Sequence, residues 1–398
     1  MALFGDTLML TWTSSVKSLL RIASCFCLMV LGTSVDAQSP ANRKPQESPF
    51  EQWDKDSDGF LSQEEFPKRF PAGLFKQIDQ DDDGRISRKE DDRFRANRRS
   101  ESNRRRDRGD SGNSRMRLPA GATVERDLVY ETVQGRDLPL DLYRPPSKYP
   151  TALVIWIHGG GWKSGSKAGG GPGVLQLLQH GYAVASVDYR LIGEAVFPAA
   201  IEDCKAAVSF LRLHADKYNL DPQRFGVWGS SAGGHLVSLL GTTNDVDQFD
   251  THPVTRKASS SVQAVCNWFG PSDFLRMNDF PSRINHDAAD SPESRFIGGA
   301  IQENPQTVQR ANPASYASAG DPPFLHLHGD KDQLVPFNQS EILHAALQAS
   351  GVKTTLYKVV GGGHGFGGSQ DSREELIAKS IRFFDSILRS DTKSDEDS

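Results

Sequence analysis

Cysteine is scarce in this chain: four among 398 residues, too few for a disulfide framework to stand in for a hydrophobic core. Cys25 and Cys27 fall in an N-terminal segment that reads as removable. Cys204 and Cys266 remain, read as two buried thiols, although export would also permit a bond between them. Excess positive charge is lacking as well. Lys and Arg total 46 against 51 Asp and Glu, a net charge of −5, so no global field draws the chain to nucleic acid or an anionic membrane, and no specific nucleic-acid partner is expected. Long apolar runs are missing too. Ile22 to Val35 is shorter than the ~20 apolar residues of a membrane span, and with Lys17 and Arg21 before it and the small-residue site Val35-Asp36-Ala37 at its end, residues 1–37 read as a secretory signal. A secreted or periplasmic location is therefore expected. The remaining composition, 37% hydrophobic and 24% charged, suits one large core plus a small module.

Two twelve-residue loops stand 25 positions apart, beginning at Asp54 and Asp79. Positions 1, 3 and 5 hold Asp54, Asp56 and Asp58 in one loop and Asp79, Asp81 and Asp83 in the other; position 6 is Gly59 or Gly84. Phe60 and Arg85 offer a backbone carbonyl at position 7, Ser62 and Ser87 fill position 9, and Glu65 and Glu90 close position 12. Hard cations take such oxygen sets. Leu61 and Ile86 at position 8 suit back-to-back pairing of the loops. On these residues, segment 46–95 resembles a paired EF-hand, a small all-α module for which the resemblance implies Ca2+ as ligand. Pro67 and Pro71 shorten the first exiting helix, which points to a calcium-stabilised module rather than a sensor.

Residues 96–117 carry Arg98, Arg99, Arg104, Arg105, Arg106 and Arg108 among Ser, Asn, Gly and Asp, with no apolar periodicity. Such a segment buries no core. It reads as a flexible tether, with contact to an anionic surface left open. The final eight residues, 391–398, read as a disordered tail. Between them, residues 118–390 alternate short β-branched runs with helical stretches, the pattern of a mostly parallel sheet clad by helices. Strands are expected at Leu138–Tyr143, Ala152–His158, Ala183–Val187, Phe225–Trp228, Val262–Trp268, Phe324–His328 and Thr354–Val359. Helices are expected at Ala199–Tyr218, Ala232–Leu240, Asn338–Ala349 and Ser372–Leu388.

The chemistry sits where these elements meet. Gly229-Ser230-Ser231-Ala232-Gly233 is G-x-S-x-G between a strand and a helix, a turn that presents a serine hydroxyl and aims a helix N-terminus at a developing oxyanion. His158-Gly159-Gly160-Gly161-Trp162 ends an earlier strand and offers unobstructed backbone N–H groups. Serine needs a base, and the base an orienting acid. Asp332, flanked by Leu334 and Val335, is preferred over Asp330, which suits a structural turn. His364, set among glycines as a loop tip that swings an imidazole back over the serine, is preferred over the other histidines. His158 shapes the glycine loop, His235 is structural, and His326 and His328 share a strand face without the Cys, Asp or Glu that would complete a zinc set. Trp162 fits either the mouth of the site or the core.

At these motifs the chain resembles the α/β-hydrolase superfamily. It is similar in particular to carboxylesterases with a His-Gly-Gly-Gly-Trp motif, which include hormone-sensitive-lipase-like enzymes and the bacterial group named for feruloyl esterase and dienelactone hydrolase similarity. Asp188-Tyr189-Arg190, Phe197-Pro198-Ala199-Ala200 with Asp203, Phe269-Gly270-Pro271-Ser272-Asp273 and Pro322-Pro323-Phe324 extend the likeness to the latter. The resemblance implies an α/β-hydrolase fold over residues 118–390, a triad of Ser231, Asp332 and His364, and an oxyanion hole from the N–H groups of Gly160, Gly161 and Ala232. It implies hydrolysis of small or carbohydrate esters with no cofactor in the chemistry. The Asp-, Asn- and Pro-rich stretch 270–322 lacks an amphipathic lid helix, which disfavours long-chain lipids. Two alternatives stay open: a serine peptidase of prolyl-oligopeptidase type, and a non-catalytic, calcium-dependent adhesion or scaffold protein.

Overall fold

Thr151–Ile157 is apolar or β-branched at every position. Side chains on a strand alternate between faces, so such a run demands cover on both sides. The computed structural model, which describes residues 50, 53–66, 74–94, 118–168 and 173–389, meets that demand. The expected signal 1–37, Pro67 and Pro71, the tether 96–117 and the tail 391–398 lie outside the described residues. The chain divides into two units, Met1–Gly112 and Asn113–Ser398.

In the first unit, strand β1 (Phe60–Ser62) pairs antiparallel with β2 (Arg85–Ser87), and Leu61 faces Ile86 across the ladder. Among the described residues the module therefore adds a two-stranded ribbon to the helices and loops expected of it. Helix α1 (Leu74–Ile78) leads into the second loop, and 88–94 is helical after it. Phe50, Leu61, Phe66, Phe75, Ile78 and Ile86 form a small core.

The second unit is an eight-stranded sheet. Its strands are β3 (Thr123–Val133), β4 (Arg136–Arg144), β5 (Thr151–Ile157), β6 (Ala183–Val187), β7 (Leu220–Ser230), β8 (Ala264–Trp268), β9 (Phe324–Gly329) and β10 (Thr354–Val359), ordered β10-β9-β8-β7-β5-β6-β4-β3. β3, β4 and β6 pair antiparallel, and every other pairing is parallel. Leu153, Ile155 and Ile157 of β5 join the core beneath helices α2 (Ala199–Leu213) and α3 (Ala232–Thr242), while Ala152, Val154 and Trp156 join the opposite core. α4 (Pro292–Ile297), α5 (Pro305–Ala311) and α6 (Asn338–Ala349) also contribute to the first core, and α7 (Arg373–Leu388) to the second. Ser372 and Glu375 form a capping box that starts α7.

Two expectations need correction. The helix from Ala199 ends at Leu213 rather than Tyr218, because 214–218 folds into turns that deliver the chain to β7. β3 escaped the sequence reading: it is an edge strand with two register irregularities, and Glu125, Arg126 and Asp127 interrupt its apolar alternation. Cys204 and Cys266 are free and buried, as read from sequence; burial pushes the Cys266 thiol up to about 12.

Candidate active site

The strand β7 runs directly into α3, with Ser231 between them at φ 55° and ψ −123°. Such a backbone is strained for a non-glycine residue. It is held by the Ser231 N–H, which donates to the Trp268 carbonyl at 2.9 Å. Close packing makes the turn intolerant of side chains: a Cβ on Gly233 would lie 2.1 Å from the Ile157 carbonyl oxygen. The sequence therefore needs a small residue two positions beyond the serine.

His364 Nε2 lies 3.1 Å from Ser231 Oγ, and His364 Nδ1 lies 2.7 Å from Asp332 Oδ2. Asp332 Oδ1 accepts the N–H groups of Leu334 and Val335 at 2.9 and 3.0 Å. Burial alone would push this carboxyl up, but hydrogen bonds from His328 and His364 outweigh it and hold Asp332 well below the usual carboxylate range. Asp330 is elsewhere, its Oδ1 accepting the Gly361 N–H at 2.7 Å. The structure thus brings Ser231, His364 and Asp332 into one hydrogen-bonded chain and leaves Asp330 holding the loop.

The loop carrying His364 is tied down. The Gly363 N–H donates to the Gly367 carbonyl at 2.8 Å, the Lys331 N–H to the Gly362 carbonyl at 2.9 Å, and Phe366 packs edge-on against Trp268 and Phe269. Gly361, Gly365 and Gly368 of this loop take φ of 75°, 74° and 82°, a backbone that a side chain would strain.

His328 was not singled out for this site. Its Nε2 faces two acceptors, the Val335 carbonyl at 2.8 Å and Asp332 Oδ2 at 3.4 Å, so that nitrogen carries the proton. Its Nδ1 lies 2.7 Å from Ser340 Oγ. His328 therefore steadies the same carboxylate oxygen, Asp332 Oδ2, that His364 meets. Four-residue spacing from Asp332 was the available signal. Phe269, whose ring meets His364 edge-on at 4.8 Å, was likewise seen only as part of a motif.

The other histidines weighed from the sequence, His158, His235 and His326, are structural. His158 stacks on Tyr189 at 4.4 Å and its Nδ1 lies 2.7 Å from the Gly159 carbonyl. His235, held down to about 4 by burial, meets the Ala311 carbonyl at 2.7 Å, and His326 is held down to about 3 by burial and its histidine neighbours.

Gly160 adopts φ 117°, and a Cβ there would lie 2.0 Å from the Ser164 carbonyl oxygen. Only glycine fits. The N–H groups of Gly160, Gly161 and Ala232 donate to no described residue, and all three residues border a cavity of about 340 Å³ together with Ser231 and His364. Trp162 is both wall and core: it lines this cavity, is 2% exposed and stacks on Phe296 at 4.5 Å.

In the first unit, the oxygens of Asp54, Asp56 and Asp58 converge within 4.8 Å, as do those of Asp79, Asp81 and Asp83. Glu65 closes the first loop by accepting the N–H groups of Ser62, Lys55 and Asp56, which lower its carboxyl to about 2. Glu90 mirrors it with Ser87, Gln80 and Asp81; burial pushes its carboxyl up, but those bonds outweigh it and lower it. Carboxylates, a serine hydroxyl and the carbonyls of Phe60 and Arg85 make an all-oxygen donor set that fits a hard divalent cation.

The BD-FAE family model matches residues 140–347, and the EF hand model matches residues 49–70 and 72–90. Esterase LipC of Mycobacterium tuberculosis is 31% identical over 250 residues, covering 62% of this chain and 61% of its own length. The chain spans about half to three fifths of the length of the first curated relatives it matches. Among solved structures, a truncated form of a carbohydrate esterase from gut microbiota has 31% identity and a TM-score of 0.57, over 66% of this chain and 95% of that one. A bifunctional GH43-CE protein of Bacteroides eggerthii has 35% identity and a TM-score of 0.60, over 66% of this chain and 35% of that one.

Proposed function

This chain belongs to the BD-FAE family, and from that premise we propose that it is a secreted serine carboxylesterase that removes short acyl or feruloyl groups from carbohydrate. The observation that carries the reading is the unbroken chain Ser231–His364–Asp332 beside three N–H groups without an acceptor among the described residues. Ser231 Oγ attacks the ester carbonyl as its proton passes to His364 Nε2, and Asp332 stabilises the imidazolium. The carbonyl oxygen takes the developing charge towards the N–H groups of Gly160, Gly161 and Ala232, each worth about 3 kcal/mol or more of barrier. His364 then returns the proton to the leaving alcohol. Water, deprotonated in turn by His364, releases the acid from the acyl-serine and regenerates Ser231.

The carbohydrate part of the proposal leans on the names of the two similar solved structures. Short acyl length is supported by the cavity, whose volume of about 340 Å³ is near the lower end for ligand sites. The paired loops take up Ca2+ through Asp54, Asp56, Asp58, Glu65 and their counterparts, stabilising the first unit. Export is proposed from the signal-like N-terminus alone, and mass spectrometry of the mature protein should find its first residue near Gln38. The enzymatic reading is tested on purified protein with acetyl, butyryl, palmitoyl and feruloyl esters, and with acetylated xylan. Hydrolysis of acetyl or feruloyl esters with little action on palmitoyl esters is expected. Preference for palmitoyl esters, or none hydrolysed, would overturn it.

A further inference from the structure

A second hydrogen-bonded serine, histidine and carboxylate lie beside the same cavity. Ser282 Oγ is 3.0 Å from His286 Nε2, and His286 Nδ1 is 2.9 Å from Glu293 Oε2. This serine is no second nucleophile. Its oxygen accepts the Ile284 N–H and lies 3.0 Å from the Gln333 carbonyl, which ties it into its loop. What the arrangement does is hold Glu293. A carboxylate oxygen only accepts, so Nδ1 facing it carries the proton. The backbone is fixed as well, because Ser291 Oγ accepts the Ser294 N–H at the start of α4.

The side chains of His286 and Glu293 are 1% and 4% exposed. A carboxylate so enclosed is costly unless its oxygens find donors, and Glu293 is only half served. Oε1 has no hydrogen-bond partner among the described residues, yet it is not sealed from water. Glu293 lines the cavity with Ser231 and His364, and Pro292 beside it packs towards Gly161. No lysine or arginine among the described residues lines that cavity, and its other side chains are mostly apolar. Apart from the triad, Oε1 is therefore a fixed acceptor offered to whatever occupies it.

Resting on the esterase reading above, we infer that Glu293 Oε1 accepts a hydrogen bond from a hydroxyl of the bound ester, with His286 as its positioning residue. The site then selects hydroxyl-bearing esters and repels anionic ones. Within the proposed substrates that hydroxyl has two sources: the sugar beside the ester, or the phenol of a feruloyl group. An ester without it leaves Oε1 stripped of water and unpaired, which is how a polar site rejects an analogue.

The test uses matched pairs on the full chain. Methyl ferulate is compared with methyl 3,4-dimethoxycinnamate, and a mono-acetylated xyloside with its neighbouring-hydroxyl methyl ether. The ratio of kcat/KM within each pair is read for wild type, Glu293→Gln and Glu293→Asp. In the glutamine variant His286 Nδ1–H claims the amide oxygen, so the NH2 group turns to the cavity and sets a donor where an acceptor stood. Wild type should favour the hydroxyl-bearing member of one pair by about tenfold or more, chiefly through KM, and both variants should erase that preference. The pair that responds identifies the source of the hydroxyl. Absence of preference in wild type, which needs no variant to measure, would overturn the inference. So would a preference that survives both substitutions, or a parallel fall on both members, which marks a merely structural role. Failure to hydrolyse any of the four esters would remove the esterase reading itself, whereas hydrolysis without the preference removes the role of Glu293 alone.

Discussion

The two units of this chain hold their carboxylates by opposite means. In the first, Asp54, Asp56 and Asp58 crowd together, as do Asp79, Asp81 and Asp83, and the bonds to them come from backbone N–H groups of their own loops. No lysine or arginine among the described residues pairs with them. In the second unit each enclosed carboxylate meets a basic side chain: Asp332 with His364 and His328, Asp203 with Arg190 and His252, Asp141 with Lys167. Crowded like charges repel unless something positive intervenes. Among the described residues the first arrangement leaves its carboxylates without a basic partner, whereas the second supplies one. The proposed function accordingly has calcium bear on the stability of one unit and not on the chemistry of the other.

Substitutions put this contrast to the test. Ser231→Ala should lower kcat on p-nitrophenyl acetate by about 10⁴-fold or more, while the circular dichroism of the core persists. Wild-type turnover would remove Ser231 from the mechanism. Asp332→Asn should cost about 10³- to 10⁴-fold in kcat through loss of the orienting carboxylate. Asp330→Asn should act mainly on stability, by about 1 kcal/mol through the Gly361 contact. A reversed ranking would show that the wrong aspartate carries the histidine. In the other unit, Glu65→Gln combined with Glu90→Gln should weaken calcium binding by about tenfold or more in calorimetric titration; unchanged affinity would mean that the ion sits elsewhere. The smallest effect concerns Ser372→Ala, which deletes the capping box of α7 and should lower stability by about 1 kcal/mol, equally with and without calcium. A calcium-dependent loss would join what the comparison separates.

Much of this was legible because it is local. The elbow around Ser231 and both cation loops are encoded in runs of a dozen residues or fewer, where turn geometry dictates residue type. Strands β5, β6 and β10 announced themselves by sustained apolar or β-branched runs. The preference for Asp332 over Asp330 rested on two apolar neighbours, of which Val335 is buried while Leu334 is exposed, and both bind Asp332 through their N–H groups. What escaped depends on tertiary placement. β3 is an edge strand whose apolar alternation is broken by Glu125, Arg126 and Asp127, and α4 and α5 are too short for a helical period to register. His328 supports Asp332 through a contact across a turn, and the pairing of His286 with Glu293 joins residues that no motif connects.

The most direct measurement reads both units in one sample. Full-length protein, freed of metal with EGTA and titrated with calcium, is followed by kcat on p-nitrophenyl acetate and by the rate of limited proteolysis within residues 50–94. Calcium should slow the cleavage progressively as its concentration passes the dissociation constant, while kcat stays within about twofold throughout. A fall of kcat to about a tenth or less on chelation, with cleavage of the first unit unaltered, would contradict the account and place a metal in the hydrolytic chemistry.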